Sequence, residues 1–390
     1  MPLVHSADML NHAYRHNYAV GAFGVVNLDF LEGVMQAAEN CRAPVIINLI
    51  EAHFTHYDFE LLMPSVLTAA RRAKIPVAIH LDHGISIESA QRGIQAGCNG
   101  VMVDTSLLPL DENLKLTREV VAMAHSCGVA VEGELGYVPE TAEEGVETNP
   151  EGLAYTLPAE ARAMVERTGI DSLAVSIGTV HGRMKGTPKL DFTRLAKVSE
   201  AAGIPLVIHG GTGLSDDQCR KLIAYGVAKI NYYTALSETA AEYIKTHATP
   251  DRKSYKAITG GVRSAIREEV ERCIHAWGSS GRAAEVLEQC RPWREVEHVV
   301  MYNAPEPLSA NAIDLMTRQG RETLAAIPGV RRVLAGTVAN GNGKYCWLVR
   351  LASPVVIESF NQHPKQAQFA KYLSQHGTLE RAALNFELRE

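Results

Sequence analysis

Ile79-His80-Leu81-Asp82-His83-Gly84 is the stretch on which the fold turns. It ends an apolar run, Pro76-Val77-Ala78-Ile79, that reads as a buried strand. A carboxylate and an imidazole then stand side by side where the strand opens into a loop. Two further apolar runs end the same way: Leu173-Ala174-Val175-Ser176-Ile177-Gly178-Thr179-Val180-His181-Gly182, and Pro205-Leu206-Val207-Ile208-His209-Gly210-Gly211. The strand-end histidines His83, His181 and His209, with Asp82, form the candidate site.

Outward from these runs, residues 1–285 alternate strand-like and helix-like stretches, joined by loops of the length that βα units use. Eight strands are expected. The first four are Tyr18–Val26, Ala43–Ile50, Ile75–Asp82 and Gly100–Thr105. The rest are Val129–Leu135, Ser172–His181, Pro205–Gly210 and Val227–Tyr232. Helical patterns fill the gaps at Leu28–Asn40, Phe59–Arg72, Ile87–Gly97, Leu114–Cys127, Pro158–Thr168, Leu190–Ala202 and Asp216–Tyr225. Gly97, Gly203 and Gly226 fall where a glycine stops a helix. The strands are continuous apolar runs, as in a parallel sheet covered on both faces. Eight such units predict an α/β fold, a (β/α)8 TIM barrel, with its active site at the C-terminal ends of the strands. A doubly wound sheet is the alternative, and it suits eight regular repeats less well.

Helix-rich sequence continues through Ala257–Trp277. Gly278-Ser279-Ser280-Gly281 and Arg291-Pro292-Trp293 then read as a linker or domain edge. Residues 295–390 carry a β-type run at Val296–Tyr302, a helix at Ala310–Ala326, strands at Val330–Val338 and Lys344–Ala352, and a helix at Pro364–Gln375. This β-α-β-β-α order predicts a small ferredoxin-like α+β domain. Such open sheets bury a face by pairing, so a homo-oligomer is expected, formed through this domain.

Composition narrows the function class. Of the 390 residues 46% are hydrophobic and 21% charged, which is the balance of a globular protein. A net charge of -6 offers no general attraction to nucleic acid or an anionic membrane. No run of eighteen apolar residues predicts a membrane span, and Met1–Leu10 lacks the apolar centre of a signal peptide. Seven singly scattered cysteines fit reduced thiols. A cytoplasmic location is therefore expected.

Three neutral imidazoles converging from strand ends make a divalent-metal site with a coordination position left for substrate. Such a metal acts as a Lewis acid on a carbonyl. Asp82, one residue before His83, is placed to move a proton at a substrate oxygen. His209-Gly210-Gly211-Thr212-Gly213 precedes a helix starting near Ser215, whose N–H groups suit an anion. Lys185 adds a cation on the loop after His181. Asn231-Tyr232-Tyr233-Thr234 offers an amide and a hydroxyl where TIM barrels hold phosphate.

These residues resemble class II, zinc-dependent fructose- and tagatose-bisphosphate aldolases. The likeness rests on His80-Leu81-Asp82-His83, Val131-Glu132-Gly133-Glu134-Leu135-Gly136, Gly178-Thr179-Val180-His181-Gly182 and His209-Gly210-Gly211-Thr212-Gly213, and runs over about residues 1–275. Asp171-Ser172-Leu173-Ala174-Val175 and Lys229-Ile230-Asn231 extend it. The resemblance implies reversible aldol cleavage of a ketose phosphate to dihydroxyacetone phosphate and an aldehyde. It implies His83, His181 and His209 as zinc ligands and Asp82 as the acid/base. Asp104 and Glu134 match carboxylates near a second, divalent or monovalent, cation. Gly182, Lys185, Gly210, Gly211, Thr212, Asn231 and Thr234 match positions that hold the ketose phosphate or a monovalent cation. Glu143 or Glu144 falls on the mobile loop that supplies a proton-abstracting Glu in relatives.

The chain departs from the family pattern at four places around the mouth. Phe23-Gly24 replaces Phe-Asn, Ile50-Glu51 replaces a Ser or Thr, Tyr232-Tyr233 replaces small or acidic residues, and Pro139-Glu140-Thr141 replaces a glycine pair. Two other functions fit the same barrel: a zinc-dependent sugar-phosphate epimerase or isomerase, and a non-catalytic partner subunit. The second of these predicts a lost histidine or Asp82, and all four are present. Arg263, Arg267 and Arg272, at helical spacing, read as a solvated helix face, with the alternative that one of them reaches a distal phosphate of the substrate. Residues 295–390 resemble the stress-responsive dimeric α/β-barrel (Dabb) family through His298-Val299-Val300-Met301-Tyr302, Ile327-Pro328-Gly329-Val330 and Phe360-Asn361-Gln362-His363-Pro364. That likeness implies pairing of two such domains. His298 and His363 read as packing residues rather than as the lining of a pocket.

Overall fold

The computed structural model describes residues 2–139, 154–186, 189–303, 308–337, 344–375 and 379–388. Eight parallel strands close into a barrel in sequence order. They are β1 Val20–Gly24, β2 Val45–Ile50, β3 Val77–Gly84 and β4 Gly100–Val103, then β5 Ala130–Leu135, β6 Ser172–Val175, β7 Leu206–Ile208 and β8 Val227–Tyr232. Pairing of Ala22 with Asn231 and of Phe23 with Tyr232 joins β8 back to β1. The helices in the first part of the chain are α1 Ser6–Arg15, α2 Leu28–Asn40, α3 Phe59–Arg72, α4 Ile87–Ala96, α5 Leu110–His125 and α6 Pro158–Thr168. Next come α7 Phe192–Ala202, α8 Asp216–Ala224, α9 Thr234–His247, α10 Tyr255–Thr259, α11 Val262–Ala276 and α12 Ala283–Gln289. Side-chain caps start several of them: Asn27, Ser86 and Asp191 each accept a hydrogen bond from the first turn of α2, α4 and α7.

The expected strands are all present, mostly shortened at their ends. The sixth is cut most: β6 stops at Val175 rather than running to His181. Gly178 turns the chain there with φ +114°, and a Cβ at that position would lie 2.6 Å from the Lys189 carbonyl. The loop thus carries His181 back over the mouth.

Strand periodicity builds the interior in layers. At the bottom Val20, Ala22, Ile46 and Ala78 pack with Met9, Leu10 and Ala13 of α1, which plugs the barrel. His80, Glu132 and Lys229 come above them, and the candidate site lies at the top. α1 lies outside the helices expected from the sequence pattern.

Residues 278–293 are no free linker. Ser279 is fully buried, Gly281 N–H donates to the Cys41 carbonyl, Trp293 N–H donates to the Leu3 carbonyl, and α12 lies against α1. The segment straps the barrel floor. Its Gly and Ser are tight turns in a packed stretch, which composition alone does not separate from a solvated one.

The remaining chain forms β9 Val296–Asn303, α13 Ala310–Ala325, β10 Val330–Thr337, β11 Lys344–Leu351, α14 Val356–Gln362, α15 Pro364–Gln375 and β12 Leu379–Glu387. The sheet is antiparallel in the order β10-β11-β9-β12. This is the ferredoxin-like arrangement, completed by β12 and with α14 added to the expected elements. It docks at the barrel floor. Arg331 donates to the carbonyls of Gln95 (3.1 Å) and Ala96 (2.6 Å) at the end of α4 and pairs with Glu295. Ser353 Oγ donates to the Cys127 carbonyl (2.7 Å) just after α5. Helix ends that precede β4 and β5 lie at the floor, so the appended sheet sits opposite the histidines.

Arg331 is almost fully buried, and its removal leaves two helix-end carbonyls without donors. Arg331→Met is expected to lower unfolding free energy by about 2–3 kcal/mol, read by urea denaturation. An unchanged midpoint contradicts this anchoring role.

Candidate metal centre and active site

His83, His181 and His209 converge as their strand positions require. Their ring centroids are 4.9 Å (83–181), 4.7 Å (83–209) and 5.6 Å (181–209) apart. One nitrogen from each falls within 4.8 Å of the other two. Each ring is oriented by a neighbour. His83 Nδ1 lies 2.9 Å from Asp104 Oδ2, His181 Nδ1 lies 3.2 Å from the Val138 carbonyl, and His209 Nε2 lies 2.9 Å from Glu132 Oε1. Carboxylate or carbonyl contacts of this kind fix the tautomer of ligand histidines. His83 itself sits at φ +49°, the bend that lifts its ring off the strand line.

Asp82 points inward from β3 and is almost fully buried. Its Oδ2 accepts from Asn48 Nδ2 (2.6 Å) and Asn231 Nδ2 (3.0 Å). Oδ1 has no hydrogen-bond partner among the described residues, and neither has His209 Nδ1 or Glu134 Oε2. Burial alone would raise the Asp82 carboxyl, but His83, His209 and Lys229 outweigh it and hold the group well below the carboxylate range. Burial pushes Glu134 the other way, up to about 7. Burial also lowers His181 to about 3, with His83 and His209 adding to the effect. Glu134 Oε2 lies 3.4 Å from His209 Nδ1, and His83, Asp104 and Glu134 form a second cluster of potential ligands. Three imidazoles ringed by carboxylates, with Asp82 Oδ1 buried and without a hydrogen bond, fit a cation.

Beneath the triad Lys229 Nζ donates to Glu132 Oε2 (2.6 Å), with both side chains about 1% exposed. His80 lies 3.8 Å from the same carboxylate. Burial and Lys229 lower His80 to about 3, so it is neutral there. The sequence reading included Glu132 and Lys229 only as parts of motifs and gave Asn48 no role. Period-2 spacing held the signal: Glu132 precedes Glu134, Lys229 precedes Asn231, and each pair faces inward.

A cavity of about 740 Å³ opens above the triad. Gly182, Gly210, Gly211, Thr212, Asn231 and Thr234 line it. A Cβ on Gly210 would lie 2.0 Å from the Val180 carbonyl, and φ is +69°, so the chain passes there only as glycine. Two expectations need correction. Ser215 closes its own helix in a capping box with Gln218 that engages the N–H groups of both, and α8 opens on Asp216 and Asp217, whose charges disfavour an anion there. Thr234, opening α9, faces the cavity instead, and Thr212 Oγ1 accepts from Ala235 N–H. Lys185 is exposed and outside the lining, where Arg183 and Lys245 are the cations.

Other expected residues resolve simply. Glu143 and Glu144 lie outside the described residues. Glu51 is structural, accepting from Ile85 N–H (2.9 Å) and Ser89 Oγ (2.7 Å). Arg263 pairs with Glu32, Arg267 with Glu268 and Arg272 with Glu269, and Arg272 also donates to Asp216 (3.1 Å) and to the Tyr232 hydroxyl (3.2 Å), which ties that part of the face to β8. His298 bonds Asn385 and packs on Phe360, while His363 Nδ1 accepts from Lys365 N–H.

Comparison with known proteins agrees with this geometry. Residues 4–282 match the family model described as fructose-bisphosphate aldolase class-II. The chain is 39% identical over 290 residues to the fructose-bisphosphate aldolase of Geobacillus stearothermophilus, covering 73% of this chain and all of that one. It is 39% identical over 288 residues to the fructose-bisphosphate aldolase of Staphylococcus epidermidis, with the same coverage. The crystal structure of the YdjI aldolase from Escherichia coli K12 superposes with a TM-score of 0.65 at 35% identity, covering 72% of this chain and 99% of that one. The chain belongs to the class II fructose-bisphosphate aldolase family and is a metal-dependent aldehyde-lyase.

Proposed function

We propose that the enzyme cleaves a ketose phosphate reversibly to dihydroxyacetone phosphate and an aldehyde. One observation carries the reading: Asp82 Oδ2 is clamped by two amides, while Oδ1 stays buried and unpartnered beside the three histidines. His83, His181 and His209 would hold zinc, and Asp104 and Glu134 would flank a second divalent or monovalent cation. Zinc, when bound, supplies Lewis-acid polarisation of the substrate carbonyl.

The glycine loops, Thr212, Asn231 and the N-terminus of α9 hold the phosphate of the donor half. Asp82 Oδ1 takes the C4 hydroxyl proton as the C3–C4 bond breaks. The bonding electron pair moves toward the C2 carbonyl oxygen and the aldehyde leaves. C3 then gains a proton from an acid on the loop that carries Glu143 and Glu144. Condensation runs the same steps backwards. An epimerase would need a base on each face of one carbon, whereas the single poised oxygen of Asp82 suits transfer at one hydroxyl.

We further infer that residues 295–390 form a Dabb-like unit that pairs with a second copy. Leu334, Leu348, Val299 and Leu384 run as one row across all four strands. Met301, Leu384 and Phe386 on that face are about half exposed. The opposite face is covered, with Trp347 buried against Phe369 of α15 and beside Gly320 of α13. No helix among the described residues is long and apolar enough to cross a membrane, and the seven cysteines are free, so we place the enzyme in the cytoplasm.

Metal removal is expected to abolish exchange of the C3 proton of dihydroxyacetone phosphate with deuterated water, and zinc to restore it. Exchange that persists in verified metal-free protein contradicts the reading. Asp82→Asn is expected to lower cleavage kcat by about 10²–10⁴-fold and exchange far less, because exchange needs no transfer at C4; equal losses would place Asp82 elsewhere in the reaction. Leu384→Lys is expected to halve the mass seen by sedimentation, and an unchanged mass refutes pairing through the sheet.

A further inference from the structure

Two of the departures at the mouth are one feature. A Cβ on Gly24 would lie 2.7 Å from Tyr233 Cδ2 and 2.8 Å from its Cβ. The Tyr233 ring therefore occupies the space into which any side chain at the end of β1 would point. Strand one ends in glycine here because an aromatic ring from the end of β8 fills its place. The ring also meets His53, on the turn after β2, at 4.4 Å between centroids, and Phe30 at 6.2 Å. Glu51 pins that turn through Ile85 and Ser89. Tyr233 and His53 line the cavity together with Ile50 and Ala52, at the ends of β8 and β2 on either side of β1, and β2 stands across the barrel from β6, whose loop carries Gly182.

We propose that Tyr233 and His53 form the wall against which the aldehyde half of the substrate rests, and that this half carries no phosphate; the proposal rests on the aldolase reading above. A phosphate dianion leaving water needs fixed cations or a cradle of N–H groups. The Ile50–Ala52–His53–Tyr233 wall includes no lysine or arginine. Among the described residues the lysine and arginine that line the cavity are Lys245 and Arg183, and Arg183 is paired with a carboxylate. Arg183 Nε contacts both oxygens of Glu238 at 2.9 and 2.7 Å, and Glu242 lines the same cavity one turn before Lys245. Lys245 also stands eleven residues along α9 from Thr234, about 16 Å by helical rise. The donor end thus has a built anion site, and the acceptor end has an aromatic face suited to the C–H surface of an uncharged hydroxyaldehyde.

The test is the kcat/KM ratio of zinc-loaded, full-length enzyme for glyceraldehyde against glyceraldehyde 3-phosphate, each condensed with dihydroxyacetone phosphate. The expected ratio favours glyceraldehyde. Tyr233→Ser and His53→Ala, measured separately, are each expected to shift it toward the phosphorylated aldehyde by about tenfold, the scale of one pocket contact. Gly24→Asn alone is expected to lower Tm, and Gly24→Asn with Tyr233→Ser to regain it, since the second change vacates the contested space. A wild-type preference for the phosphorylated aldehyde, or a ratio that neither variant moves, overturns the proposal. Proton exchange into dihydroxyacetone phosphate is read on the same wild-type sample. Its absence would refute the aldolase reading itself rather than the acceptor assignment.

Discussion

A charge pair inside the barrel constrains everything above it. Glu132 and Lys229 meet at 2.6 Å with almost no solvent contact. Either charge alone would cost several kcal/mol to bury, so each requires the other. They come from β5 and β8, non-adjacent strands whose inward faces meet only if the barrel closes in the observed register. Glu132 then has one oxygen left for His209, and that contact aims the Nδ1 of His209 at the triad. His80 completes the layer as a neutral ring. The orientation of a proposed metal ligand is thus coupled to the closure of the fold. A substitution at Lys229 would act on the site through Glu132 without touching substrate.

The floor follows from the same economy of space. Alanines at inner positions of β1 and β3 leave room for α1 to enter from below. The strap at residues 278–293 and the four-stranded sheet then cover that end. Among the described residues, nothing in the appended sheet's docking reaches the mouth. On the proposed reading, catalysis and association would use opposite ends of one barrel, and pairing through the sheet would leave each cavity accessible from its own side.

Much of this was legible in the residues. The barrel followed from eight apolar runs with helical intervals, and the three histidines and Asp82 from their shared position at strand ends. What escaped reading has physical reasons. α1 is short and meets the barrel only in three dimensions. The strap has loop-like composition but buried backbone. Which helix offers its N-terminus depends on whether that terminus is already capped, and Ser215 with Gln218 caps α8 while Thr234 opens α9 toward the cavity. Lys185 had the right charge and loop, but its direction is set by backbone turns that one-dimensional spacing does not encode. Gly24 and Tyr233 were visible as separate departures. Their complementarity needed the distance between them, because the residues are far apart in sequence and adjacent only through the β1–β8 seam.

On the proposed reading, barrel closure brings His83, His181 and His209 together to bind one metal ion. Zinc K-edge X-ray absorption on the purified enzyme tests it most directly. Three imidazole nitrogens at about 2.0–2.1 Å, with the remaining coordination from oxygen, are the predicted result. A sulfur scatterer in the first coordination sphere, or zinc bound with fewer than three imidazoles, would contradict it.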